Sequence, residues 1–154
     1  MTFSRSCEYA LQAALYLGVR HAAGVTVVSL QEIAESQEIP PTFLSTILQT
    51  LVRQKLLTSQ KGSKGGFALA RNPDAVTLLD IVSAIDGLDM FDRCGIGLRA
   101  CSDENPCPVH HEYKVIKNKV RQVLTHKTLA ELSRDVERGT AIIAFRRAEV
   151  VGSE

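Results

Sequence analysis

Residues 93–111 read RCGIGLRACSDENPCPVHH, which puts three of the chain's four cysteines within fourteen residues and two histidines directly after them. The spacing is Cys94-x6-Cys101-x5-Cys107, with His110 three and His111 four residues further on. Three thiolates on one loop converge on a metal only if the loop folds back on itself. Gly95 and Gly97 permit that, and they let backbone amides approach ligand sulfurs. Three thiolates are one short of the usual four ligands, so such a site needs a fourth group or keeps an open position. Three chemistries fit the residues. Soft thiolates favour an iron–sulfur cluster. Zinc fits a tetrahedral set of Cys94, Cys101, Cys107 and His111. A cofactor-free thiol sensor, switched by sulfenic acid or disulfide formation, fits as well. Spacing alone does not separate them.

The rest of the chain bounds the setting. With 154 residues, 45% of them apolar, it can bury one core without a covalent staple. No apolar run approaches the roughly 18 residues of a membrane span, and the N-terminus shows no signal-peptide core. The expectation is a cytoplasmic protein with no membrane partner, where clustered cysteines hold a metal or do redox chemistry rather than form a disulfide framework. Cys7 stands apart, and near the start of an amphipathic helix it reads as a small buried residue.

The elements that must position the cysteines follow from periodicity. Ser4 is an N-cap, and Tyr9, Leu11, Ala14, Leu15 and Leu17 recur at helical spacing, predicting a helix that ends near His21. Ser29 with Glu32 forms a capping box for a short second helix. Pro41 suits the first turn of a third, which places Phe43, Leu44, Ile47, Leu48, Leu51 and Val52 on an apolar stripe. Leu57–Lys61 and Phe67–Ala70 read as strands joined by the glycine-rich GSKGG turn. A nucleotide phosphate loop is excluded because that motif requires a helix, not a strand, after the glycines. Thr77 with Asp80 caps a short helix ending near Gly87, and Thr128 caps another. Between them HEYKVIKNKVRQVL spaces Tyr113, Val115, Ile116, Val120, Val123 and Leu124 along a long helix with two partly apolar faces, a pattern suited to a dimer interface.

A short helix, a turn, a longer helix and a hairpin together read as a winged helix-turn-helix. The fold class is therefore mainly α with a small β-hairpin, followed by a long C-terminal dimerisation helix. The net charge of +1 hides a partition that agrees. No acid lies between Glu38 and Asp74, a window that holds Arg53, Lys55, Lys61, Lys64 and Arg71. These cations suit phosphate contacts, while Thr42, Ser45, Thr46 and Gln49 are the candidates for base edges, glutamine favouring adenine. No nucleotide fingerprint, nucleophile elbow or His-Glu-x-x-His motif supports an enzyme. A redox enzyme or electron carrier, and a zinc-stabilised interaction module without DNA affinity, are the competing classes.

The segments EYALQAALYL, SLQEIAESQEIPPTFLSTILQTLVRQKLLTSQKGSKGGFAL and TLLDIVSAIDG, with the cysteine loop and the helix after it, resemble the Rrf-two family of bacterial winged-helix regulators. The likeness is strongest to its cluster-bearing members IscR and NsrR, and it covers nearly the whole chain. It divides the chain into a DNA-binding domain (1–87), a cluster-binding loop (88–108), a dimerisation helix region (109–138) and a tail (139–154). The resemblance implies a homodimer that binds roughly palindromic double-stranded operator DNA and senses iron–sulfur status, nitric oxide or redox state. It implies Cys94, Cys101 and Cys107 as cluster ligands, although the first gap is one residue longer than in IscR and NsrR. In IscR-like members the fourth ligand is a histidine, which maps onto His110, and the cluster is [2Fe–2S]. In some NsrR-like members it is an N-terminal carboxylate of the partner subunit, which maps onto Glu8, and the cluster is [4Fe–4S]. The histidine, held close in sequence, is the preferred reading.

Overall fold

The computed structural model describes residues 2–143. Its helices are α1 (Arg5–Ala22), α2 (Leu30–Gln37), α3 (Pro41–Arg53), α4 (Leu78–Ile85), α5 (His110–His126) and α6 (Leu129–Glu137). Strands β1 (Leu57–Gln60) and β2 (Gly66–Leu69) form an antiparallel hairpin between α3 and α4, pairing Leu57 with Leu69 and Gln60 with Gly66. The architecture is the mainly helical winged helix-turn-helix expected from the sequence. Of the expected tail, residues 144–154 lie outside the described residues.

Local chemistry explains most of the boundaries. The Ser4 hydroxyl accepts from the Cys7 amide and starts α1. The Thr77 and Asp80 side chains cap each other's backbone amides in a complete capping box at α4. At α2 only half of the expected box forms. Ser29 accepts from the Glu32 amide, but the Glu32 carboxylate turns away. It accepts from the Tyr16 hydroxyl at 2.8 Å and from Arg20 Nε at 3.1 Å, tying α2 to α1. A tertiary partner has outcompeted the local one. Burial and the hydrogen bond to Glu32 push the Tyr16 phenol up to about 12.

Leu17, Ile33, Leu44, Leu48, Leu51, Ile81 and Leu129 form the centre of one core shared by α1 to α4, the hairpin and α6. Leu44, Ile47, Leu48 and Leu51 are buried as the stripe on α3 requires. Phe43 is not: it is 43% exposed, its ring edge-on to Tyr9 with centroids 5.7 Å apart. The hairpin is anchored through Val28, whose amide and carbonyl pair with Phe67 at 2.9 and 2.8 Å. Gly66 makes this approach feasible, since a Cβ there would lie 2.2 Å from the Val28 carbonyl oxygen. A second, smaller cluster of Cys7, Val82, Phe91 and Leu124 joins α1, α4 and α5 below the cysteine loop.

Candidate metal centre and nucleic-acid interface

Residues 92–109 leave the Asp89–Phe91 turn and fold back along the start of α5. The Cys94, Cys101 and Cys107 sulfurs all lie within 4.8 Å of one another, each half-buried. Cys94 and Cys107 are the facing pair, with Sγ atoms 3.6 Å apart. Cys101 Sγ accepts from the Cys107 amide at 3.4 Å and lies 3.1 Å from His110 Nδ1. The other ring nitrogen, His110 Nε2, is 2.7 Å from Asp103 Oδ1, and Lys114 donates to both Asp103 oxygens at 2.8 and 2.7 Å.

Backbone amides favour anionic sulfur at Cys94. The Ile96 amide aimed at Cys94, helped by that of Leu98 and by the neighbouring thiols, lowers the Cys94 thiol to about 7. Cys107 moves the other way, raised by burial and by the same neighbours. Two facing thiols thus differ in acidity, Cys94 lowered and Cys107 raised. The hydrogen bond from His110 and the Lys114 ammonium hold the Asp103 carboxyl down to about 2.

Helix α5 grips both limbs of the loop. Lys117, 9% exposed, donates from Nζ to the Arg93 carbonyl at 2.6 Å. The Tyr113 ring lies flat against Gly95, where a Cβ would be 2.3 Å from the ring. Tyr113 and Lys117 hold residues 93–95, and His110 and Lys114 hold residues 101–103. Each pair is four residues apart on one helix, so one face of α5 carries all four contacts.

The other sequence candidates fall elsewhere. Glu8 is half-buried on α1 and lies 3.6 Å from Arg5, away from the cysteines of its own chain. His111 points out beside His110, ring centroids 5.2 Å apart, and is exposed. Cys7 is fully buried, and burial with the nearby Asp86 carboxylate pushes its thiol up to about 12. On α3, Thr42, Thr46, Gln49 and Arg53 are exposed and Ser45 is half-buried; Lys55, Lys61, Lys64 and Arg71 are exposed around the hairpin. Thr46 Oγ1 donates to the Thr42 carbonyl at 3.4 Å and Thr50 Oγ1 to the Thr46 carbonyl at 3.1 Å. The Thr50 hydroxyl is thus engaged within the helix, whereas the Thr46 contact is long for such a bond. Thr50 also accepts from Arg53 Nη2 at 3.0 Å.

Residues 3–135 match the family profile Rrf2, described as an iron-dependent transcriptional regulator. The chain belongs to the Rrf2 family. Over 134 residues it is 32% identical to a protein of Aquifex aeolicus classed with the HTH-type transcriptional regulators, covering 86% of this chain and 91% of that one. It is 28% identical over 132 residues to the HTH-type transcriptional regulator IscR of Sodalis glossinidius, covering 86% and 78% of the two chains. Among solved structures it resembles CymR of B. subtilis, the global cysteine regulator, with a TM-score of 0.73 and 26% identity over 87% of this chain and 97% of that one. IscR of T. potens follows at a TM-score of 0.70 and 25% identity, covering 92% and 93%.

As an Rrf2 protein the chain is a DNA-binding transcriptional regulator and not an enzyme. Its three close cysteines fit a metal or cluster site. None of its described helices is long and apolar enough to cross a membrane. Sequence reasoning singled out the cysteines and His110 of this Rrf2 chain but passed over Asp103, Tyr113 as a loop contact, and Lys117. Asp103 sits in a polar SDEN run and Lys117 among other basic residues of α5, so neither carried a signal of its own.

Proposed function

We propose that the chain is a homodimeric transcriptional regulator whose affinity for operator DNA depends on an iron–sulfur cluster held by Cys94, Cys101, Cys107 and His110. The observation that carries this reading is the donor set: three sulfurs within 4.8 Å of one another, with His110 Nδ1 3.1 Å from one of them. The donors fall into two close pairs, Cys94 with Cys107 at 3.6 Å and Cys101 with His110 at 3.1 Å. Two thiolates on one tetrahedral metal stand about 3.7 Å apart for metal–sulfur bonds of about 2.3 Å. Two ligand pairs suit the two irons of a [2Fe–2S] cluster better than the single open corner of a [4Fe–4S] one, and they favour His110 over the partner subunit's carboxylate at Glu8. When bound, the cluster supplies one-electron redox chemistry and reactivity toward oxidants and nitric oxide, the signals this reading assigns to the protein.

The chain's own residues supply the rest. Cys94, with its lowered pKa, is poised to ligate as the thiolate. Tyr113, Lys114 and Lys117 transmit the position of the loop to α5, whose exposed Val115, Ile116 and Val123 form the face offered to a second subunit. Dimer geometry then sets the separation of the two α3 helices on a roughly palindromic site. In this reading Arg53, Lys55, Lys61, Lys64 and Arg71 contact phosphates, while Thr42, Ser45, Thr46 and Gln49 meet base edges, in the cytoplasm where the chromosome lies.

The test is anaerobic purification with iron and sulfide quantified, followed by gel-shift titration of cluster-loaded and cluster-free protein on operator DNA. A coloured protein with iron and sulfide in equal amounts, and different affinities in the two states, is expected. A colourless protein that carries zinc, or equal affinity for all DNA sequences in both states, refutes the reading.

A further inference from the structure

We propose that Asp103 is a positioning residue that sets His110 to bind metal through Nδ1. The inference rests on the reading of His110 as the fourth ligand and assigns the atom that ligates and the group that holds it. An ionised carboxylate only accepts hydrogen bonds, so the 2.7 Å contact to Asp103 Oδ1 requires the proton on His110 Nε2. Nδ1, 3.1 Å from Cys101 Sγ, is left as the nitrogen facing the thiols. Any proton shared there with Cys101 is the one a metal displaces.

Asp103 is itself fixed, because Lys114 donates to both of its oxygens. Lys114 and His110 stand one turn apart on α5, so the carboxylate bridges two successive positions of one helix and cannot follow the imidazole if it swings. The His110 side chain is only 14% exposed, whereas Asp103 is 64% exposed. The ligand is shielded and its support lies at the rim. A carboxylate that orients a ligating imidazole and raises its basicity strengthens metal binding about 10- to 100-fold. Here that group comes from the loop between the second and third cysteines, so folding of the loop and orientation of the histidine are one event.

Cobalt(II) titration of the metal-free full-length protein tests this, because tetrahedral cobalt reports both affinity and ligand type through its ligand-field bands. Wild-type protein is expected to bind cobalt in tetrahedral form. D103A should bind about 10- to 100-fold more weakly, with bands shifted toward those of H110A. D103N keeps an acceptor for Nε2–H and should lose less affinity than D103A. The double variant D103A/H110A should bind no more weakly than H110A alone, since Asp103 acts through His110. Unchanged affinity in D103A, a D103N loss as large as that of D103A, or additive losses in the double variant would each overturn the proposal. Asp103 is exposed, so thermal unfolding midpoints of the variants should match wild type. Cobalt uptake depends on neither cluster assembly nor DNA affinity, so a chain that carried no iron–sulfur cluster would refute the proposed function and leave this result standing.

Discussion

Lys117 Nζ donates to the Arg93 carbonyl at 2.6 Å across 24 residues of chain, and with 9% exposure it is among the few buried polar side chains of the described residues. The bond fixes the backbone one residue before Cys94 to the middle of α5. Replacing Lys117 with Met keeps most of the aliphatic packing and removes the donor, leaving a carbonyl without its partner, a loss worth about 1–3 kcal/mol. Lys117→Met should lower stability in urea unfolding by that order and shorten the lifetime of any metal bound at Cys94. A variant as stable as wild type, with unchanged metal release, would remove Lys117 from the coupling between loop and helix.

Backbone crowding at Gly66 gives a sharper expectation. A Cβ there meets the Val28 carbonyl oxygen at 2.2 Å, and backbone cannot yield as a side chain can. Gly66→Ala should break the Val28–Phe67 bridge, tilt the hairpin and cost about 1–3 kcal/mol, the usual range for forced overpacking. Thermal unfolding reads the stability, and DNA affinity reads the hairpin. Gly62→Ala, at the tip and with open space around its Cβ position, serves as the control for backbone strain alone, since it too has positive φ.

The residues proposed to face DNA separate by chemistry. Lys61 and Lys64 lie exposed at the hairpin tip, and in the proposed role of phosphate contacts they carry no sequence information. Lys64→Ala should weaken binding to all duplexes alike and reduce the slope of log affinity against log salt by about one. Gln49 is exposed on α3, and Gln49→Ala should cost about 1–3 kcal/mol on the cognate site while sparing non-specific binding. Fluorescence anisotropy at several salt concentrations distinguishes them. A salt slope changed by Gln49→Ala and not by Lys64→Ala would reverse the assignment.

Which parts were legible in the sequence follows from the range of the forces involved. Local capping placed Ser4, Thr77 and Thr128 correctly, because the acceptor and the amide it caps lie within three residues. Periodicity placed Leu44, Ile47, Leu48 and Leu51 for the same reason. Glu32 departed from its capping box when Tyr16 and Arg20, sixteen and twelve residues away, offered two donors to one oxygen. Phe43 lies at the margin of the stripe, 43% exposed, with its ring edge-on to Tyr9, a contact that helical spacing does not foretell. The position of α6 against α1 depends on Gly18 meeting Leu129 and Ser133, and a glycine inside a helical pattern does not name its partner. At the candidate metal centre, residue types and spacing singled out the three cysteines and the family resemblance pointed to His110, whereas Asp103 and Lys117 make their contacts only once the loop has folded onto α5.

Cys7 supplies a pH dependence unrelated to metal. Its thiol is fully buried on α1 against Val82, Phe91 and Leu124, and burial with the Asp86 charge raises it from 9.0 to about 12. In the unfolded chain it ionises near its ordinary value, so between pH 9 and 12 the unfolded state has released a proton that the folded state retains. Stability from this group is complete below pH 9 and is lost as pH rises toward 12, with a limiting slope of about 1.4 kcal/mol per pH unit. Tyr16, raised from 10.0 to about 12, adds a loss of the same sign that begins one unit higher. Urea unfolding of metal-free protein between pH 8 and 11 should therefore show stability falling from pH 9. In Cys7→Ala the fall between pH 9 and 10 should be shallower, with the Tyr16 contribution above pH 10 intact. A thiol-reactive dye should likewise label three cysteines quickly and Cys7 only on unfolding. Identical pH slopes in the two proteins, or four thiols reacting at one rate, would show that Cys7 is not held neutral in the core.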